Sequence, residues 1–271
     1  MLQLSEIWIY PVKSLGGIAL QQSQVIEGGL EFDRRWLLVD ENGLFITQRN
    51  HPELALFQPE IVDSFLKISH REQQESITVP LYPSFSKTEQ KIKIQVWDDI
   101  VEAFEVSLDV SDWFSKILGF SVRLVYMPNE SLRKVDADFA VSSNDVTAFS
   151  DGFPFLIIGQ SSLDDLNSRL KESVSIRRFR PNFVFTGGKS YEEDSWREFT
   201  IGELPFYGVK PCSRCVLTTV DPDRGVFSGK DPLLTLSKYR NIGNKVLFGQ
   251  NIIAKHRGSL QVGDELRIVK L

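Results

Sequence analysis

Both cysteines of the chain lie in one stretch, Lys210-Pro211-Cys212-Ser213-Arg214-Cys215-Val216-Leu217-Thr218-Thr219-Val220-Asp221-Pro222. An apolar, β-branched run follows the second cysteine, and such a run predicts a buried strand over 215–220. A thiol placed where a polar loop enters a strand is held rigidly, which suits a metal ligand. The stretch therefore predicts a β-rich core at this point, with a thiol at its edge.

Four interpretations of Cys212-x-x-Cys215 are open from the residues alone. A structural zinc site needs about four ligands, and the three histidines of the chain show no paired spacing. A thioredoxin-type dithiol begins a helix after a strand, whereas here the predicted strand follows the cysteines. One thiolate could bind a soft transition metal, with Lys210 and Arg214 favouring its ionisation. The pair could also be two small buried hydrophobic side chains.

The composition is that of an ordinary soluble globular protein, with 271 residues, 42% hydrophobic and 25% charged. A net charge of −5 and a pI of about 5.4 provide no global basic field, which argues against a nucleic-acid partner. Two closely spaced cysteines do not form a secreted disulfide framework. No signal-peptide core and no apolar run of about 18 to 20 residues is present. We therefore expect a cytoplasmic protein that neither binds nucleic acid nor spans a membrane.

Short apolar segments separated by turn residues, with only about three helices, predict a mainly β fold with attached helices (α+β). The helices are expected at 111–118, after the capping-box pattern Ser162-Leu163-Asp164-Asp165, and over 231–240. Residues 128–147 are polar and are predicted to form a long loop. A boundary near 110–125 divides the chain into an N-terminal β-rich domain, 1–120, packed on a C-terminal barrel, 121–271, with a cleft between them.

Positive side chains cluster beside predicted turns and strand ends, at Lys13-Ser14, Arg34-Arg35, Arg49 and Arg177-Arg178-Phe179-Arg180-Pro181-Asn182. Such clusters suit a local grip on phosphate or a polar heterocycle. Solvated surface charge is the ordinary alternative for any single arginine. The last cluster directly precedes an apolar strand and carries a donor-rich amide, which favours binding. A Gly-rich phosphate loop and a GxSxG elbow are both absent from the sequence, which argues against nucleotide and hydrolase sites.

Six motifs, spread in order over almost the whole chain, resemble the MOSC family. They are Tyr10-Pro11-Val12-Lys13-Ser14, Asp33-Arg34-Arg35-Trp36-Leu37, Phe179-Arg180-Pro181-Asn182, Glu193-Asp194-Ser195-Trp196, Cys212-Ser213-Arg214-Cys215 with Thr218-Thr219-Val220-Asp221-Pro222, and Leu247-Phe248-Gly249-Gln250-Asn251. The similarity is to the branch of the mitochondrial amidoxime-reducing component and its bacterial relatives that lack a ferredoxin domain. The resemblance makes 1–120 the MOSC N-terminal β-barrel domain and 121–271 the MOSC domain.

The resemblance implies that a pyranopterin molybdenum cofactor binds in the cleft between the N-terminal and C-terminal domains. Cys215 matches the family's catalytic metal ligand, whereas Cys212 matches a position that is not a ligand. The positions that match cofactor-binding residues are Lys13, Ser14, Arg34, Ser150, Asp151, Arg178, Arg180 and Asn182.

The resemblance also implies an oxidoreductase that reduces N-hydroxylated compounds such as amidoximes, hydroxylamines and N-hydroxylated bases. The chain ends at Leu271 with no further cysteines. We therefore expect electrons from a separate ferredoxin-type or other iron–sulfur or flavin protein. Two alternatives stand beside this: a carrier of the cofactor or of sulfur without turnover of its own, and a β-barrel ligand-binding protein without metal.

Overall fold

The computed structural model describes residues 1–86 and 89–271 and confirms a mainly β fold with attached helices. The strands are β1 Leu2–Ile9, β2 Ile18–Leu20, β3 Gln22–Ile26, β4 Gly29–Leu30, β5 Trp36–Val39, β6 Phe57–Val62, β7 Phe65–His70, β8 Ser76–Pro80, β9 Ile92–Val96, β10 Asp99–Glu105, β11 Arg123–Tyr126, β12 Arg133–Lys134, β13 Val146–Thr147, β14 Phe155–Gly159, β15 Phe183–Thr186, β16 Glu198–Ile201, β17 Leu204–Ser213, β18 Val220–Asp221, β19 Val226–Phe227, β20 Asn241–Ile242, β21 Lys245–Ala254, β22 Gly258–Gln261 and β23 Glu265–Lys270. The α-helices are α1 Leu108–Leu118, α2 Gln160–Arg169 and α3 Leu233–Ser237. Short 3₁₀ helices cover Pro52–Leu56, Asn129–Ser131, Ile176–Arg178, Glu192–Ser195 and Val216–Thr219.

Seven strands close into a barrel in the order β14, β15, β1, β23, β16, β17, β21, with β21 returning to β14. The β14–β15 pair is parallel and the other neighbours are antiparallel. The barrel core contains Phe155, Phe183 and Phe206, whose ring centroids lie 5.6 to 5.8 Å apart. Closure removes the exposed sheet edges that an open sheet of this size would leave.

Strand β1 shows how the sequence fits this barrel. Simple alternation would send Leu4 and Ile7 to opposite faces, because they are three residues apart. The register with β15 shifts between Leu4 and Glu6, which is the signature of a bulge. Both Leu4 and Ile7 are therefore fully buried in the same core. The strand ends at Ile9, and the loop after it carries the basic motif that contains Lys13.

Strands β2 and β20 pair with β1 and β21 of the barrel, and most of the other strands form smaller sheets beside it. One has the order β5-β11-β10-β9, another has β6-β7-β8, and a third pairs β22 with β3 and β3 with β4. Helix α1 packs on β11 and begins earlier than predicted, because the Ser107 side chain accepts a hydrogen bond from the Val110 N–H. Gly119 ends it in the left-handed conformation, as expected.

The sheets run across residue 120. Strand β1 lies between β15 and β23 of the barrel, β11 pairs with β5, and β22 pairs with β3. The division of the chain into domains at residue 120 stays a prediction. Strands from before residue 120 pair with strands from after it, so the sheets are not divided at that residue.

The strand predicted over 215–220 is wrong. Strand β17 precedes Cys215 and ends at Ser213, and residues Val216–Thr219 form a 3₁₀ helix. The backbone N–H and the hydroxyl of Thr218 both donate to the Cys215 carbonyl, at 3.1 and 3.0 Å, and this closes a helical turn. A β-branched residue therefore stabilises a turn here, because its hydroxyl finds a local acceptor.

Other local predictions are also corrected by the structure. Ser162 caps no helix: α2 begins at Gln160, and the Ser162 hydroxyl donates to the buried Glu193 carboxylate at 2.9 Å. Helix α3 is shorter than the predicted 231–240. The segment 128–147 is largely irregular but contains the short pair β12–β13. Across 1–86 and 89–271, no helix has the length and apolar character that a membrane crossing requires.

Candidate functional site

One cleft collects the predicted site residues from five separate loops. Because the flanking strands belong to the barrel or to the sheets beside it, the fold fixes where these loops emerge. These loops are far apart in the sequence. They meet because the strand pairing that closes the barrel brings their ends to one side. The lining includes Cys215 and seven of the eight predicted cofactor-binding residues, namely Lys13, Ser14, Arg34, Ser150, Asp151, Arg180 and Asn182.

Cys215 lies at the head of the 3₁₀ helix, and its partner is an arginine from the other half of the chain. The Nε–H of Arg49 donates to Cys215 Sγ at 3.3 Å. The same guanidinium donates through Nη2 to Asp151 Oδ2 at 3.2 Å. Burial alone lowers the pKa of Arg49, but Asp151 and Cys215 outweigh it and raise that pKa above its ordinary value. A permanent positive charge therefore lies within hydrogen-bond distance of the Cys215 sulfur.

The two cysteines have different surroundings. Arg214, which the sequence places beside both thiols, donates through Nη1 to Cys212 Sγ at 2.9 Å. Lys210 lies over the Phe139 ring, 3.8 Å from its centroid. Of the two cations that the sequence places near the thiols, Arg214 contacts Cys212, and Arg49 is the cation that contacts Cys215.

A buried lysine and an acid lie beside this pair. Lys13 Nζ donates to Asp151 Oδ1 at 2.5 Å and to the Phe149 carbonyl at 2.7 Å. Burial lowers the pKa of Lys13 to about 8, with Asp151 opposing the shift. Burial raises the pKa of Asp151, but Lys13 and Arg49 outweigh it and hold that pKa well below its ordinary value. The carboxylate thus stays ionised and holds two cations in place.

Arg34 and Arg180 meet on one aromatic ring. Their guanidinium carbons lie 4.5 and 4.1 Å from the centroid of the buried Tyr10 ring. Arg34 also donates to Asn182 Oδ1 and to the Arg180 carbonyl, both at 3.1 Å. The Asn182 amide donates in turn to the Trp8 carbonyl at 3.2 Å. Asn182 is therefore engaged in positioning Arg34, and both arginines are fixed by contacts within the protein.

Three of the predicted residues have left-handed backbones. The φ angles are +70° at Ser14, +49° at Arg34 and +55° at Arg180. Such conformations are uncommon outside glycine and cost about 1–3 kcal/mol each, so they persist where the surrounding structure enforces them. Their grouping in one cleft is typical of a ligand-binding site.

The cleft fits an anionic cofactor that carries its own metal ligands. Within the described part of the chain, Ser150 Oγ, Arg180 Nη2 and Arg214 Nε are buried without a hydrogen-bond partner. Unpaired buried donors of this kind are costly unless a ligand satisfies them. Over 1–86 and 89–271, no group of three or more His, Cys, Asp or Glu side chains is placed to hold a metal. Because Cys215 is surrounded by cations and, within those ranges, lacks further metal-ligating side chains, these residues do not suit a structural zinc site.

Arg178 is the predicted residue that the structure does not bring to this cleft. Its guanidinium donates to Ser228 Oγ at 2.8 Å and pairs with Asp221 at 3.5 Å. It lines an adjoining cavity instead, which shares Arg180 and Leu217 with the cleft. The reason is local: Arg178 ends the 3₁₀ helix Ile176–Arg178, whereas Arg180 lies beyond it in a left-handed conformation.

Two arginines contact predicted site residues although the sequence does not assign them to the site. The sequence includes Arg49 among the basic clusters that suit a grip on phosphate, but it does not link Arg49 to Cys215, because the two stand 166 positions apart and no local pattern joins them. Its only signal is its place beside the polar residues Thr47 and Asn50. Arg133 carries no such signal; it is buried, and it donates to the Ser150 carbonyl at 2.6 Å and to Asp99 at 2.7 Å.

Comparison with known proteins agrees with this geometry. Residues 1–121 match the family model described as the MOSC N-terminal beta barrel domain, and residues 144–267 match the MOSC domain. Mitochondrial amidoxime-reducing component 1 is 34% identical in both Mus musculus and Homo sapiens, over 98% of this chain and 82% of each relative. Mitochondrial amidoxime reducing component 2 of Rattus norvegicus is 34% identical over 96% of this chain and 81% of that relative. The chain therefore belongs to the MOSC family, in the branch of the mitochondrial amidoxime-reducing components.

Proposed function

We propose that this protein uses a pyranopterin molybdenum cofactor to reduce N-hydroxylated compounds. In that reaction the N–O bond breaks, the substrate takes up two electrons and two protons, and the oxygen leaves as water. Amidoximes, hydroxylamines and N-hydroxylated bases are the proposed substrates. The observation that carries the proposal is the thiol of Cys215, paired with Arg49 in a cleft of cations and unpaired buried donors.

The residues of the cleft divide the work of holding such a cofactor. Cys215 would bind the metal through Sγ, and Arg49 donates a hydrogen bond to that sulfur. Lys13, Arg34 and Arg180 would neutralise the phosphate, which the net charge of −5 would otherwise repel. Ser150 and Arg180 would donate their free hydrogen bonds to it. When bound, the molybdenum supplies the two-electron redox chemistry.

Electrons are proposed to come from a separate iron–sulfur or flavin protein. An iron–sulfur cluster needs about four cysteine ligands, and this sequence has two cysteines in all. We also propose a cytoplasmic location.

The first test is metal content. Wild-type protein, Cys215→Ser and Cys212→Ser are purified from a molybdenum-replete host and analysed for molybdenum. We expect near-stoichiometric metal in wild type and Cys212→Ser and little in Cys215→Ser. Metal-free wild type from a host with intact cofactor synthesis would contradict the proposal.

The second test is turnover. Benzamidoxime is added with a chemically reduced ferredoxin-type donor, and benzamidine is measured. Cys212→Ser should keep most of the rate, whereas Cys215→Ser should lose it. Molybdenum-loaded wild type that fails to reduce amidoximes and hydroxylamines would favour the carrier function instead.

A further inference from the structure

A second cavity adjoins the cleft and is larger than it. It encloses about 550 Å³, compared with about 180 Å³ for the cleft, and so falls within the usual range of small-molecule sites. Arg180 and Leu217 line both spaces. Gln48 of the cavity donates to the carbonyl of Ser14, a cleft residue, at 2.5 Å. No part of the proposed function uses this cavity.

One side of the cavity is cationic. Four arginines line it, namely Arg71, Arg177, Arg178 and Arg180. Glu60 is the only acid among the described residues of the lining. Arg71 and Arg177 both donate to Asp223 at 2.6 Å, so one carboxylate holds two guanidinium groups. A positive charge is therefore left over even on the best-paired part of this side.

Arg178 and Arg180 are less well neutralised. The Arg178 side chain is only 10% exposed, and its ion pair with Asp221 is 3.5 Å long. Arg180 donates to the neutral Leu15 carbonyl at 2.6 Å, and within the described chain its Nη2 is buried without a hydrogen-bond partner. Burial lowers the pKa of Arg178, and it lowers the pKa of Arg180 to about 10. Because burial disfavours both cations, a bound anion would stabilise them.

The chemistry of the lining defines the ligand. Guanidinium groups bind phosphate oxygens through paired N–H donors, and a phosphate monoester carries about −1.5 to −2 charges at pH 7. Ile18, Ala19 and Pro59 would contact the uncharged part of the molecule. We propose that this cavity binds the phosphate monoester of a small molecule, with Arg178 and Arg180 as its principal cations. A phosphorylated substrate and a separate phosphate ester share this chemistry.

The first test compares cytidine 5′-monophosphate with cytidine in calorimetric titrations of full-length protein freed of cofactor. Arg178→Gln should weaken binding of the monophosphate about tenfold, with an unchanged urea midpoint, because a charged hydrogen-bond donor is lost. Arg267→Gln removes an exposed arginine that does not line the cavity, and this matched control should keep the affinity. Equal wild-type affinity for the two compounds, or an unchanged affinity in Arg178→Gln, would overturn the proposal.

A second variant reports on the cleft, which also carries cations in cofactor-free protein. Lys13 lines the cleft and not the cavity, whereas Arg178 lines the cavity and not the cleft. Lys13→Met should therefore keep its affinity for the monophosphate within about twofold. An affinity that falls in Lys13→Met and holds in Arg178→Gln would place the phosphate in the cleft and contradict the proposal.

Turnover of molybdenum-loaded protein then identifies the source of the phosphate. N4-hydroxycytidine and its 5′-monophosphate are compared with a chemically reduced ferredoxin-type donor. A higher kcat/KM for the monophosphate that is lost in Arg178→Gln identifies a phosphorylated substrate. Equal values in wild type, with binding intact, identify a separate phosphate ester. This comparison rests on the proposed function, whereas the binding tests need no cofactor and stand if that function fails.

Discussion

At the scale of single residues, the two cysteines differ in which arginine donates a hydrogen bond to each sulfur. Arg49 contacts Cys215, and Arg214 contacts Cys212. The first contact joins distant parts of the chain, whereas the second joins residues two positions apart. The different roles proposed for the two cysteines therefore depend on which arginine the fold places against each sulfur.

Removing Arg49 should make Cys215 less reactive. In cofactor-free protein at pH 7, we expect Arg49→Leu to slow alkylation of Cys215 by iodoacetamide several-fold, because the sulfur loses the charged hydrogen-bond donor that faces it. Site-resolved mass spectrometry measures both cysteines. Arg214→Leu is the control and should affect Cys212 more. Equal alkylation of Cys215 in wild type and Arg49→Leu would refute this role.

Lys13 should make anion binding unusually sensitive to pH. Its pKa of about 8 lies below the ordinary 10.5, so its charge is present below pH 8 and is lost above it. We expect the affinity of cofactor-free protein for pyrophosphate to fall by up to about tenfold per pH unit above 8. Lys13→Arg should keep its affinity to higher pH. The same decline in that variant would show that another group is responsible.

At the scale of elements, α2 is tied to the barrel by a buried acid. Glu193 accepts hydrogen bonds from the Gly159 N–H at 3.1 Å and the Ser162 hydroxyl at 2.9 Å. Burial raises the pKa of Glu193 to about 7. The Ser162 hydroxyl is used in this hydrogen bond to Glu193, and it therefore does not cap helix α2.

Glu193 should make the fold less stable as the pH rises from about 4.5 to 7. In that window the folded state binds a proton that the unfolded state has lost, so the free energy of unfolding falls with pH. Glu193→Gln should flatten this slope in urea unfolding followed by circular dichroism. A slope unchanged in the variant would exclude Glu193 as its source.

At the scale of the whole molecule, the N-terminal strand completes the barrel of the C-terminal part. Strand β1 pairs with β15 and β23, so seven-stranded closure requires the start of the chain. The cleft likewise needs Lys13, Arg34 and Arg49 from one half and Arg180 and Cys215 from the other.

A fragment comprising 121–271 should therefore not fold alone. Without β1, the edges of β15 and β23 that pair with it are exposed. We expect poor NMR dispersion for the fragment and recovery when 1–120 is co-expressed. A well-dispersed spectrum of the isolated fragment would show that the predicted boundary is an independent folding limit.

Much of the site could be predicted from local sequence. The motifs around Lys13, Arg34, Arg180 and Cys215 identify the basic clusters and the thiol, because each motif is contiguous. The run after Cys215 favours a strand by its β-branched residues, yet the Thr218 hydroxyl finds a local acceptor and closes a turn. Arg178 is adjacent to the site motif in sequence, but it contacts Ser228 and Asp221 outside the cleft, because it is the last residue of the 3₁₀ helix Ile176–Arg178.

The sequence by itself determined a β-rich, acidic chain with two cysteines, local basic clusters and the motifs of its family. Only the tertiary structure decided that Arg49, not Arg214, contacts Cys215 and that Arg178 contacts Ser228 instead of lining the cleft. The physical reason is that these contacts join loops far apart in the chain. Their distances depend on barrel closure and strand register, which no local pattern encodes.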